Sequence, residues 1–182
     1  MANDYFNVLI SLKRSDIPDV PINGSSLIDF LNNANEKGLA LNFGGRQNLI
    51  LFQLFELLRT YPITTLAFLR LPYAVLEESA ISEALHAIRK LLKEATESPD
   101  FVVKAFPTKY MDGSIHYFTE KDQVVKSIET SSVVKPPDSI FTEYEDLTSM
   151  FTFLKSMMAF FEDALDNKKS VVFIRLVEFF KA

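Results

Sequence analysis

The chain has 182 residues, 48 % of them apolar, and a formal charge of -5 at pH 7. That length suits one good core and is short for two, and the apolar share excludes a disordered chain, which needs low hydrophobicity and high net charge. The acidic balance argues against nucleic acid as a partner, because non-specific binding there rests on an excess of Lys and Arg.

Asp4 to Leu12 is rich in Tyr, Phe, Val, Leu and Ile and reads as a strand, with a short helix as the rival. Asp16 to Asn23 carries two prolines and reads as a loop. Ser25 or Ser26 then caps a helix that runs to Lys37, with Asp29 in its first turn and Gly38 as its stop. Leu39 to Phe43 is a short buried strand. Gly44-Gly45 turns the chain into a helix from Arg46 to Thr60 that is apolar on most sides and therefore buried. Thr64 to Leu71 reads as the next strand, ended by Pro72.

The third helix has the clearest pattern. Ile81, Ala84, Leu85, Ile88, Leu91, Leu92 and Ala95 make one stripe at helical spacing. Phe101 to Met111 and Ser114 to Thr119 flank Asp112-Gly113, which suits a two-residue hairpin turn with positive φ at both central positions. Ser131 to Ser139 is a loop. A long helix begins near Thr142, with Glu145 completing a capping box, and ends near Asp166. Ser170 to Phe180 closes the chain as a strand.

This order predicts an α/β fold, with α+β as the alternative class: one domain over residues 1–182, early parallel β-α-β units plus an antiparallel hairpin, and helices packed on a mixed sheet. There are only five glycines where ordinary usage gives roughly thirteen, and each falls at one of these boundaries.

If the first three strands are parallel, their carboxyl ends share one edge of the sheet, where ligands of open α/β folds bind. Arg14 follows the first strand, Gly44, Gly45 and Arg46 the second, and Arg70 and Tyr73 the third. These six residues are the candidate site for a small phosphate- or carboxylate-bearing compound, with Arg46 and Arg70 at the same edge. Gly44-Gly45 would let backbone N–H groups approach an anion at a helix N-terminus. The plainer reading is that sheet edges meet water and carry charge anyway, and neither phosphate-loop pattern is present.

Other constellations say less. His86 lies off the apolar stripe of its helix, and His116 falls opposite Lys109 in the hairpin. No G-x-S-x-G or acid–base pair singles out a nucleophile, so no catalytic residue is assigned and the balance leans away from an enzyme. Glu162, Asp163 and Asp166 crowd the last turn of the long helix, where acids are mildly unfavourable. They suggest a cation or basic partner, or simply a solvated end beside Lys168 and Lys169. No metal-ligand spacing and no cofactor motif is found, so neither is expected.

On the long helix, Leu147, Met150, Phe151, Leu154, Met157, Met158, Phe161 and Leu165 form a core stripe, and Phe153 and Phe160 lie beside it. That apolar face is wider than a helix on a sheet needs. Phe153, Met157 and Phe160 are therefore the candidate interface, burial within the chain being the alternative. The functional expectation that follows is a non-catalytic binding or regulatory protein working through protein contacts, as a homodimer or with another partner. Cysteine is absent, which fits a reducing compartment. No basic stretch followed by a long apolar run opens the chain, and the apolar stretch from Leu49 to Leu58 is too short for a bilayer, so a cytoplasmic protein without membrane contact is expected.

Overall fold

In the computed structural model, which describes residues 7–18, 24–44, 68–69, 71–100, 107–109, 115–117, 121–136, 138, 140–141 and 147–176, the segment Asn7–Leu12 forms strand β1 at the centre of a five-stranded sheet. Its side chains alternate between two cores, as strand geometry requires. Val8 and Ile10 face one core, and Leu9 faces the other. The sheet is thus covered on both faces, which is why β1 reads as a continuous apolar run.

A 3-10 turn at Arg14–Asp16 follows, then helix α1 at Gly24–Glu36 and strand β2 at Ala40–Phe43. The helix begins at Gly24, ahead of both serines expected to cap it, so Asp29 falls beyond its first turn. Gly38 ends it with φ 67°. Gly38 N–H donates to Asn35 O and Leu39 N–H to Ala34 O, the paired bonds of a Schellman cap. Only glycine takes this left-handed conformation without a Cβ penalty. The cap drops the chain into β2 within three residues, and Asn42 donates to Asn35 Oδ1 to pin the helix to its own strand.

The expected parallel β-α-β start is corrected here. β2 pairs antiparallel with β1, Asn7 opposite Phe43 and Ile10 opposite Ala40. The cause lies in the connection after β1. Pro18 O accepts from the Tyr73 hydroxyl, and Tyr73 sits level with Val8 across the sheet, so the chain has already run back along β1 before α1 begins. α1 therefore ends where β1 ends, and β2 descends beside it.

The predicted helix over 46–60 lies outside the described residues. Of the predicted strand over 64–71, Phe68, Leu69 and Leu71 are described; Phe68 and Leu69 form a short 3-10 turn and Leu71 lies in a bend. The strand follows Pro72 instead of ending there: β3 is Tyr73–Leu76. Helix α2, Glu78–Glu97, buries Ile81, Ala84, Leu85, Ala87, Ile88, Leu91 and Ala95, nearly the stripe expected from spacing, and leaves His86 exposed. β4, Pro107–Lys109, and β5, Ile115–Tyr117, form the hairpin. His116 pairs with Thr108, not Lys109. That register differs by one residue from the one a two-residue turn at Asp112-Gly113 gives; the turn itself lies outside the described residues.

Helix α3, Lys121–Thr130, was not foreseen, nor was strand β6, Ile140–Phe141. Helix α4 is described from Leu147 to Asp166 and strand β7 from Ser170 to Arg175, so the capping box at Thr142 lies outside. β7 inserts beside β1, giving the order β3-β7-β1-β2-β6, with β2 and β6 the parallel pair. The result is a single-domain α/β fold with a mixed sheet. α1 packs on the face bearing Val8, Ile10, Val172 and Ile174, and α2, α3 and α4 pack on the face bearing Leu9, Phe43, Val171 and Phe173. Between α3 and β6 the chain runs over α4, held by Lys155 donating to Ile128 O and Ser131 O and by Val134 N–H donating to Ser156 Oγ. Among the described residues no helix is long and apolar enough to cross a membrane.

Candidate functional site

Arg14 stands apart from the other described residues of the expected anion edge, while Gly44 and Tyr73 lie at one end of the sheet. Because β1 and β2 are antiparallel, Arg14 and Gly44 stand at opposite ends of the sheet. Arg14 Nε donates to Glu77 Oε1 at 2.7 Å, and Ser170 Oγ donates to the other Glu77 oxygen at 3.2 Å. The arginine thus fastens the 3-10 turn to the end of β3 rather than waiting for a ligand. Gly44 N–H donates to Phe141 O, extending the β2–β6 pairing. Tyr73 opens its strand instead of following one, and its hydroxyl is engaged with Pro18. Gly45, Arg46 and Arg70 lie outside the described residues.

The helix surface expected to be an interface is core. Phe153 and Met157 are fully buried and Phe160 is 6 % exposed. The Phe153 ring lies 5.3 Å from both Phe43 and Phe141, and Phe160 meets Phe161 at 6.2 Å. The rings are covered by β2, β6 and the neighbouring helices, so no second molecule is needed to shield them. The face is wide because α4 packs against α2, α3 and β7 together.

What the fold does assemble is a cavity of about 300 Å³ at the end of the sheet where β1 finishes and β2 and β7 begin. Two helices end there. α4 closes with the same cap as α1: Lys168 N–H donates to Leu165 O and Lys169 N–H to Ala164 O. Here the left-handed residue is not glycine but Lys168, φ 54°. That conformation costs a non-glycine residue about 1–2 kcal/mol, partly offset by a cation at a helix C-terminus. Backbone strain tends to collect at functional sites.

The walls combine two chemistries. Phe160, Leu39 and Pro136 supply apolar surface, and Ser11, Asp163, Asn167 and Lys169 supply polar groups, with Gly38 at the rim. Ser11 is the distinctive one. It lies two residues after Leu9, on the same face of β1, and is 9 % exposed. Its backbone N–H donates to Leu39 O, but no described residue hydrogen-bonds its hydroxyl. Buried hydroxyls normally have partners, and an unpaired one costs about 1–3 kcal/mol. Asn167 donates to Asp163 O at 2.7 Å. Asp163 is 59 % exposed and has Lys135 at 4.0 Å, a loose contact. Its neighbour Glu162 is taken by Arg89 at 2.8 Å.

The acids at the end of the long helix were therefore visible in the sequence, but their separate fates were not. Ser11 carried a weak signal, one polar residue in an apolar strand, indistinguishable there from a solvated strand end. Among the described residues no three His, Asp or Glu side chains gather as metal ligands. No family model, no curated protein and no solved structure matches the chain.

Proposed function

We propose that this chain is a binding domain that holds a small charged molecule at the sheet end framed by the α1 and α4 caps. The observation that carries the reading is the Ser11 hydroxyl, buried in the cavity wall without a described partner. A ligand oxygen would satisfy it. The volume stands at the small end of ligand pockets, and apolar walls with a few convergent polar groups are their usual lining. Phe160 is rigid core, so the site is largely formed before the ligand arrives. A cytoplasmic setting belongs to the proposal and fits a cysteine-free chain.

Amide NMR spectra of the intact chain, titrated with millimolar L-leucine, isocaproate, isoamylamine and inorganic phosphate, test this. At least one compound is expected to shift the Ser11, Gly38, Leu39, Asn167 and Lys169 signals together. Shifts confined to other parts of the chain, or none at all, contradict the reading.

A second reading, protein contact, keeps one supporting observation. Ile140 is 57 % exposed on the outermost strand β6, and Val133, on the segment leading to it, is 42 % exposed. A strand at a sheet edge can pair with a second copy. Light scattering across micromolar concentrations should then give twice the mass of one chain, and Ile140→Asp should halve it. A single-chain mass throughout contradicts self-association.

A further inference from the structure

We infer that the ligand of this cavity is a small zwitterion, with ammonium and carboxylate borne by one carbon as in a free apolar α-amino acid. The inference rests on the ligand-binding reading above and adds the ligand's chemical class.

Charge placement is the first argument. Among the described residues the cavity wall carries one group of each sign, the Asp163 carboxylate and the Lys169 ammonium, both from the last turns and cap of α4. A simple anion would meet Lys169 and Ser11 favourably but would also meet Asp163. A simple cation would meet Asp163 favourably and Lys169 unfavourably. A zwitterion alone answers both.

The helix ends are the second. α1 and α4 both terminate at this rim, so both contribute the negative end of a dipole, worth about 0.3–1 kcal/mol for a nearby cation. An ammonium is therefore favoured beside the caps, and Asp163 is the residue that would hold it. Lys135 lies 4.0 Å from Asp163, too far for a close hydrogen bond, which leaves the carboxylate able to accept from a ligand.

The hydroxyl and the apolar wall complete the fit. Ser11 can donate to a carboxylate oxygen, the stronger, charge-assisted form of the bond. No described residue pairs with the Lys169 ammonium, and the residue is half-buried at the same wall. Phe160, Leu39 and Pro136 then receive an aliphatic side chain. A volume of about 300 Å³ is ample for a single amino acid.

Calorimetric titration of the full chain with L-leucine, isocaproate and isoamylamine tests the inference, since the last two are leucine stripped of its ammonium and of its carboxylate. Leucine is expected to bind about tenfold or more tighter than either, the scale of one charge-assisted hydrogen bond. Asp163→Asn should bring leucine down to the level of isocaproate. Lys169→Met should bring it down to the level of isoamylamine. Asp163 is exposed, and methionine keeps the apolar stem of the half-buried Lys169, so folding is preserved. Isocaproate, isoamylamine or phosphate binding as tightly as leucine overturns the zwitterion inference and leaves the ligand-binding reading standing. Failure of every compound to bind overturns both.

Discussion

Phe153→Ala is expected to cost about 3–5 kcal/mol of stability, and Phe153→Glu to abolish folding. The ring is fully buried and sits 5.3 Å from Phe43 on β2 and 5.3 Å from Phe141 on β6. It therefore joins the long helix to two strands at once. Deleting it loses the transfer energy of a large side chain and two aromatic contacts, each worth about 0.5–1.5 kcal/mol. Phe43 also approaches Phe173 at 6.3 Å, so the cavity left behind opens into a cluster that cannot collapse locally. A glutamate there would be a buried charge without a partner. Urea unfolding followed by circular dichroism measures the first variant, and solubility with the folded spectrum measures the second. A folded, soluble Phe153→Glu would mean that the ring is a surface group and would restore the interface reading of this helix.

The sequence reveals this fold unevenly, and particular residues show why. Gly38 marks the end of α1 because a left-handed cap selects glycine and the apolar spacing stops there. The identical cap of α4 gives no such sign, since Asn167-Lys168-Lys169 contains no glycine and the strain is borne by Lys168. The stripe of α2 is legible because twenty residues repeat one period. α3 has only Val124, Val125 and Ile128 as apolar positions in ten residues, too few to stand out. β6 has two residues, less than one full alternation.

Strand direction was the costliest gap. Whether β2 runs with or against β1 depends on the path of the connection at 13–23, not on the pattern of either strand. Once that path returns along the sheet, Arg14 and Gly44 separate to opposite ends, and Arg14 leaves the expected edge. The breadth of the apolar α4 face is legible in the sequence. Its cause, packing against two helices and the sheet together, is a tertiary fact that no single helix encodes.

Ser11 offers the most direct test of the claim that the sheet end is a ligand site. Removing a buried hydroxyl that has no partner among the described residues should leave the ligand-free protein as stable as before, or more stable by up to about 1 kcal/mol. The same change should remove a hydrogen bond to a charged ligand, worth about 1.5–3 kcal/mol, or roughly tenfold to a hundredfold in affinity. Ser11→Ala is thus expected to separate stability from binding. The measurement is paired: urea unfolding without ligand, and calorimetric titration with L-leucine, on the native chain and on Ser11→Ala. The account predicts an unfolding midpoint that is unchanged or raised, together with leucine affinity lowered at least about tenfold. Loss of stability with leucine affinity unchanged would contradict it, because the hydroxyl would then serve the fold and not a ligand.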